Sequence, residues 1–243
     1  MKHIITLVAL LMLTQVSFAQ NYNDLKILFA DENYEKLVKE AEKYNDNDAT
    51  KYDPAPYIWA AKGLYAISLS GTDDEKFDNA FKDGITFLSK GIKYDLKKND
   101  GQEMEEHAEF IETYQMALYT RINNELLINS YKKAYSWCVK YKKISQETTG
   151  INFVIGACKY NDGDRSSSRT AWQEADESLK AITDISDWSE ADKNILKLGI
   201  IKTAQTYKET MQMDLAKSTL NSVAHWFEED EDFQAQYDEI VNG

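Results

Sequence analysis

The chain is poor in the residues that usually carry chemistry or interrupt regular structure. Its 243 residues include two cysteines, two prolines, ten glycines and three histidines. A disulfide scaffold is excluded by that cysteine count. The histidines left beyond the N-terminus, His107 and His225, stand far apart, outside any HExxH or CxxC context, so a zinc or similar site lacks its donors. Neither a Gly-x-Ser-x-Gly elbow nor a phosphate-cradling glycine loop occurs. These gaps remove the usual routes to nucleophilic, metal and nucleotide chemistry, and the chain reads as a non-enzyme with no cofactor and no catalytic residue. Positive charge is also scarce, with 28 Lys and Arg against 41 Asp and Glu, for a net charge of −13. Such a field repels phosphate backbones and anionic headgroups, which excludes nucleic acid as a partner.

Helix breakers are as rare as catalytic motifs. Pro54 and Pro56 lie together, where proline suits the first turn of a helix. Lys, Glu, Ala and Leu are frequent, and no alternation of period two is long enough for a sheet. The fold class expected is all-α. Apolar runs are short as well. The longest, Ile4 to Leu13, follows Lys2 and His3 and precedes Ser17-Phe18-Ala19. That is an export signal over residues 1–19, cut before Gln20, and too short for the ~20 residues of a membrane span. No cysteine follows it, so the mature N-terminus carries no lipid. Residues 20–243 are expected to form one exported domain, without a transmembrane segment, in the periplasm or associated with the outer membrane.

Five copies of one apolar stripe organise this domain, each a first residue followed at +3, +7 and +10. They are Tyr34/Leu37/Ala41/Tyr44, Phe81/Gly84/Leu88/Gly91, Tyr131/Ala134/Cys138/Tyr141, Trp172/Ala175/Leu179/Ile182 and Met213/Ala216/Leu220/Val223. On a 3.6-residue helix the four positions share one face. Each stripe reads as the second helix of a pair. First helices are expected over residues 21–29, 57–69, 104–127, 151–160 and 192–211, the last opened by a capping box at Asp187 and Glu190. Breaks are expected at Ser70-Gly71-Thr72, Asn99-Asp100-Gly101, Thr149-Gly150 and Asn161-Asp162-Gly163-Asp164, and a loop at Ser166-Ser167-Ser168. Stacked helix pairs at a near-regular interval make an α-solenoid of about five antiparallel pairs.

The pairs resemble tetratricopeptide repeats. Trp59 and Gly63 stand at that family's first-helix Trp and Gly positions, Leu198-Gly199 matches its Leu-Gly pair, and Ile155-Gly156 nearly does. Phe81, Gly84, Leu88, Gly91 and Asp95 follow its second-helix pattern. The units are several residues longer than the family's. The Asn/Lys/Tyr/Asp-rich composition and the signal end also resemble exported proteins of the Bacteroidota.

The resemblance implies a concave groove lined by first helices and used for partner binding. Carried over by position, its lining is Tyr57, Ala60 and Leu64, then Phe153, Ala157, Tyr160 and Asn161, then Lys193, Leu196 and Ile200. The function implied is an adaptor or scaffold for a protein partner, an envelope or outer-membrane complex such as an assembly or secretion machine. The alternative is a soluble carrier or chaperone holding a small ligand or unfolded client in the same groove. Cys138 and Cys158, on consecutive helices, are either bridged in an oxidising compartment or two small buried hydrophobes. The acidic tract Glu228 to Asp232 lacks the glycine and ligand spacing of a calcium loop and reads as a solvated turn.

Overall fold

A computed structural model describes residues 22–243, so the expected signal lies outside the described residues. Among these, the regular structure is helical throughout, with no strand. The helices are α1 (Asn23–Ala30), α2 (Tyr34–Asp46), α3 (Pro54–Ser70), α4 (Ala80–Lys98), α5 (Gln102–Glu106), α6 (Ala108–Leu127), α7 (Tyr131–Tyr141), α8 (Thr149–Asn161), α9 (Arg165–Leu179), α10 (Glu190–Glu209), α11 (Met213–Asn221) and α12 (Glu231–Asn242). None is long and apolar enough to cross a membrane. The packing is solenoid-like: α1 lies on α2, α3 on α4, α6 on α7, α8 on α9, and α10 on α11, with α12 closing the end against α10 and α11.

Four of the corners between paired helices share one geometry. Each first helix ends in a left-handed residue: Glu32 (φ 56°), Asn129 (φ 55°), Gly163 (φ 91°) and Met211 (φ 62°). The next amide then reaches back five residues: Asn33 to Leu28, Ser130 to Glu125, Asp164 to Lys159 and Gln212 to Tyr207, at 2.8–2.9 Å. This is the Schellman closure, which satisfies carbonyls left orphaned at a helix end. The second helix starts two positions after the left-handed residue. By that register Tyr34, Tyr131 and Met213 are equivalent, whereas Trp172 stands two turns further into its helix. The α3–α4 connection differs, running through a 3₁₀ turn at Glu75–Phe77.

All five stripes face the packing. Leu37, Ala41, Gly84, Leu88, Gly91, Ala134, Cys138, Ala175, Leu179, Ala216 and Leu220 are buried, and the large first members flank them. Four boundaries differ from expectation, the first being that the helix expected over residues 104–127 is interrupted at His107, between α5 and α6. Thr149-Gly150 lies inside α8, and Ser166-Ser167-Ser168 inside α9, whose N-cap Asp164 accepts from the Ser167 amide at 3.1 Å. The cap of α10 is Ser189 rather than Asp187, its Oγ accepting the Asp192 amide at 3.1 Å.

The first helices carry the core. A helix buried on one face is amphipathic, but α3, α8 and α10 are buried nearly all round. Gly150 and Gly199 make the α8–α10 crossing close. A Cβ on Gly150 would meet the Leu196 amide nitrogen at 2.5 Å, and one on Gly199 the Gly150 carbonyl oxygen at 2.5 Å. The N-terminus of α10 also rests on the end of α7 and the turn after it through a buried carboxylate. Asp192 accepts from Tyr141 Oη (2.8 Å), Ser145 Oγ (2.7 Å) and Ser189 Oγ (2.8 Å). Burial pushes that carboxyl up, and the three hydroxyl donors oppose the shift. Cys138 and Cys158 meet across α7 and α8 as free, buried thiols. Burial first, and then the Cys158 thiol beside it, pushes the Cys138 thiol up, which keeps it protonated and unreactive.

Two outcomes follow from this packing. Gly199→Ala and Gly150→Ala are each expected to destabilise the chain by about 2 kcal/mol, because backbone rather than a flexible side chain blocks the new methyl. Urea unfolding checks this, and a gain in stability, as at an exposed helical glycine, would contradict the close crossing. Thiol titration of the protein purified without reductant is expected to find two slow groups in the folded state and two fast ones in denaturant.

Candidate partner-binding cleft

The structure places most of the expected groove residues in the interior. Tyr57, Ala60, Leu64, Phe153, Ala157, Leu196 and Ile200 are all buried. Tyr57 donates to the Lys51 carbonyl at 2.9 Å and packs against Phe87 and Tyr94; burial, ahead of the neighbouring phenol, pushes its pKa up to about 12. Phe153, Ala157, Leu196 and Ile200 belong to one cluster around the α8–α10 crossing. As a solvent-facing lining six of these positions are therefore corrected, Ala157 alone meeting a surface concavity. The face that an open stack would present inward is covered by neighbouring helices. At the N-terminal end the same closure is made by Phe29 of α1 against Trp59 and by the ion pair of Lys26 with Glu106.

Three of the expected residues reach solvent. Tyr160 is half-buried, stacked on Trp172 at 5.5 Å, with the Arg165 guanidinium 3.5 Å from its ring centre. Lys193 donates to the Ser186 carbonyl at 3.0 Å. Asn161, exposed at the end of α8, donates to the Ala157 carbonyl at 2.9 Å and to Thr206 Oγ1 at 3.3 Å. Ala157 and Asn161 do share one concavity, while Tyr160 and Lys193 do not line it.

That concavity is a cleft of about 630 Å³ where the C-terminal ends of α6, α8 and α10 converge. Leu126, Leu127 and Asn129 form one wall, with Tyr131 at the start of α7. Lys202, Gln205, Thr206, Lys208 and Glu209 of α10 form the bed, and Glu239 and Ile240 of α12 the far wall. The bed is polar. Lys202 donates to Gln205 Oε1 at 3.0 Å, and Gln205 in turn to Gln236 Oε1 at 3.1 Å. Burial lowers the Lys202 ammonium, with Glu209 acting against the shift. Lys208 donates to the Glu239 carbonyl at 2.7 Å and ties α10 to α12.

The rim is apolar where a corner should be polar. Leu127 is 67% exposed and Met211 is 92% exposed, and Ile128 beside them is 71% exposed. Met211 holds a left-handed conformation, uncommon for a non-glycine side chain, at the tip of its corner. Large apolar residues clustered over a bed of amides, hydroxyls and ammonium groups suit a polypeptide segment. Its side chains would rest on the rim while its main chain meets the bed. The sequence does hold a signal for these rim residues, because Leu126-Leu127-Ile128 runs straight into a corner at Asn129.

The remaining sequence candidates are placed as follows. Among the described residues no group of three His, Cys, Asp or Glu side chains is arranged to hold a metal ion. The acidic tract forms the turn before α12 and that helix's first two residues, with Asp230 as N-cap accepting from the Phe233 amide and pairing with Lys197 at 2.8 Å. His225 lies at the surface beside Trp226. His107 is instead buried, its Nδ1 3.1 Å from Lys62 Nζ. An ammonium can only donate, so Nδ1 accepts and the proton sits on Nε2. Burial, with the Lys62 charge second, holds the His107 pKa down at about 4. At 3.8 Å, Glu103 therefore faces a neutral ring rather than an imidazolium. Lys62 itself lies over Trp59, Phe110 and Phe29, at 4.5–5.8 Å from the ring centres.

The fold and cleft define a class: a helical array of stacked pairs with an apolar-rimmed cleft at one edge. No protein-family model, curated protein or solved structure matches the chain.

His107 sets a pH window for stability. Its folded pKa lies below the unfolded value near 6.5, so only the unfolded state takes up a proton as the pH falls from about 6.5 to about 4. Its contribution is complete above that window and lost through it, by at most about 3 kcal/mol. Urea unfolding across the window is expected to show this loss, flattened in His107→Gln. An unchanged slope in that variant would contradict the assignment.

Proposed function

We propose that the chain is a non-enzymatic, tetratricopeptide-like adaptor that holds a segment of a protein partner in the cleft between α6, α8, α10 and α12. The observation that carries this reading is the apolar rim of Leu127 and Met211 over a bed of hydrogen-bonding groups, with exposed Ile128 next to Leu127 in the chain. Exposed apolar residues grouped around a concavity mark interaction surfaces, whereas scattered ones do not. The tetratricopeptide-like reading rests on the sequence positions of Trp59, Gly63 and Leu198-Gly199, and the corner geometry shared by four helix pairs supports a repeated unit. The sequence signal over residues 1–19 supports a role in the periplasm or at the outer membrane, as an accessory subunit of an envelope assembly or secretion complex.

The test is capture of partners from envelope extracts by the wild type, by Leu127→Asp and Met211→Asp together, and by Tyr160→Ala. Both rim residues are exposed, so circular dichroism should be unaltered. A desolvated carboxylate in the interface is expected to lower partner yield about tenfold in the double variant. Tyr160→Ala should leave the yield unchanged. Equal yield from the double variant would overturn the cleft assignment.

A further inference from the structure

Two hollows adjoin at the C-terminal end of the array and share no lining residue with the partner cleft. The first, of about 470 Å³, lies between the end of α9, the end of α10 and α11. The second, of about 570 Å³, lies between the connection 180–189, the start of α10 and the turn before α12. His225 and Trp226 line both, so the two form one groove that passes Trp226. The local sequence explains that placement. Ala224–Trp226 is a 3₁₀ turn between α11 and α12. Val223 and Phe227, about one helical turn apart, are buried, so His225 and Trp226 between them face outward. The His225 ring rests beside the indole, 4.5 Å between centres.

The first hollow is apolar at its rim, where Ile182 and Tyr207 are half-buried and Leu215 is 48% exposed. The second is acidic, lined by Asp184, Glu190, Glu229 and Asp230 against Lys193 alone. Asp230 pairs with Lys197 from outside the lining. Among the described residues Asp184, Glu190 and Glu229 make no ion pair. Hydrogen bonds from the Ser186 hydroxyl and amide hold the Asp184 carboxyl below its usual range, and so ionised. Over both hollows five carboxylates face two lysines, because the first adds Asp176 and Lys180. The surrounding surface has the same sign, since the chain after Lys217 holds seven Asp and Glu and no Lys or Arg. An indole face beside unpaired carboxylates attracts an ammonium or guanidinium through both the ring quadrupole and charge. An apolar hollow next to it takes an aliphatic side chain. One extended polypeptide segment can supply both, advancing ~3.3 Å per residue with successive side chains on opposite faces.

We propose that this groove docks a basic segment of a protein, with an aliphatic side chain between Ile182, Leu215 and Trp226 and its Lys or Arg side chains among Asp184, Glu190 and Glu229. Complementary charge selects the partner's sign, and the apolar hollow selects a segment that carries more than charge.

Fluorescence anisotropy of a labelled Ser-Arg-Leu-Arg-Leu-Arg-Ser peptide, titrated with the full chain, tests this. Two further probes have Glu for each Arg or Ser for each Leu. The Arg/Leu peptide is expected to bind saturably and to weaken with salt. The peptide without Leu should bind about tenfold more weakly, and the Glu peptide should not bind. Glu190→Gln and Glu229→Gln together, at two exposed positions, should weaken the Arg/Leu peptide about tenfold, as should Trp226→Ala. Leu215→Ser, at an exposed residue, keeps the apolar hollow testable should Trp226→Ala fail to fold by circular dichroism. Asp31→Asn with Glu32→Gln removes the same charge at the opposite end of the chain and should leave the affinity unchanged. Absence of saturable binding, or equal affinity for either of the other peptides, would overturn the proposal. Equal weakening in the Asp31 and Glu32 variant would also overturn it, by reducing the effect to net charge. Loss of binding in the Leu127→Asp, Met211→Asp variant, with the groove variants unaffected, would place the peptide in the partner cleft instead. Partner capture at Leu127 and Met211 is read separately, so the two proposals fail separately.

Discussion

The crossing of α8 and α10 at Gly150 and Gly199 is the constraint on which the rest of the C-terminal half depends. With no side chain on either backbone at the crossing, the two helices approach so closely that a methyl on either glycine would meet the other helix's backbone at 2.5 Å. Seated that closely, α10 can bury Leu196 and Ile200 against α8 while its N-terminal turn delivers Asp192 to Tyr141 and Ser145 beneath α7. A buried carboxylate is costly alone, and its three hydroxyl donors are what make it tolerable. The polar contact therefore fixes the register of a helix that apolar burial alone would allow to slide.

Central first helices determine where binding can occur. In a stack whose inner face stays open, α3, α8 and α10 would each expose a row of side chains along a groove. Here those rows are spent on the core, and the accessible concavity is displaced to the edge where three helix ends and α12 meet. Corners are held by Schellman hydrogen bonds rather than by buried side chains, so their residues are free to vary in character without cost to the core. Met211 and Leu127 use that freedom. The charge pattern divides similarly: acidic side chains outnumber basic ones, while Arg121 and Lys140 lie over the Phe81 and Trp137 rings.

Much of the fold was legible because helical periodicity is a local property. The stripes at +3, +7 and +10 identify the second helices and their buried faces from α2 to α11. The all-round burial of α3, α8 and α10 was not legible in the same way. Phe153 and Ile200 look like residues of an amphipathic helix, and only the neighbours that cover their second face show them to be interior. Gly150 misleads for a related reason. Taken alone it reads as a turn, and its actual role is to admit Leu196 of a helix 46 residues later. Ser166 to Ser168 read as a loop because serine competes for backbone hydrogen bonds, yet Asp164 caps the helix and Ser168 is buried inside it. Of the site, Ala157 and Asn161 were reached from the sequence. The rim residues were missed because an apolar residue at a corner is assigned by default to the adjoining helix.

Native-state hydrogen exchange is the most direct measurement of the central proposition, that the first helices form the interior. Amides of α3, α8 and α10 between their first and last turns should exchange only through global unfolding, and so share one protection free energy. Those on the outer helices α2, α9 and α11 should exchange faster, through local opening. Exchange in α8 and α10 as fast as in α9 and α11 would contradict a buried inner layer and would restore an open groove.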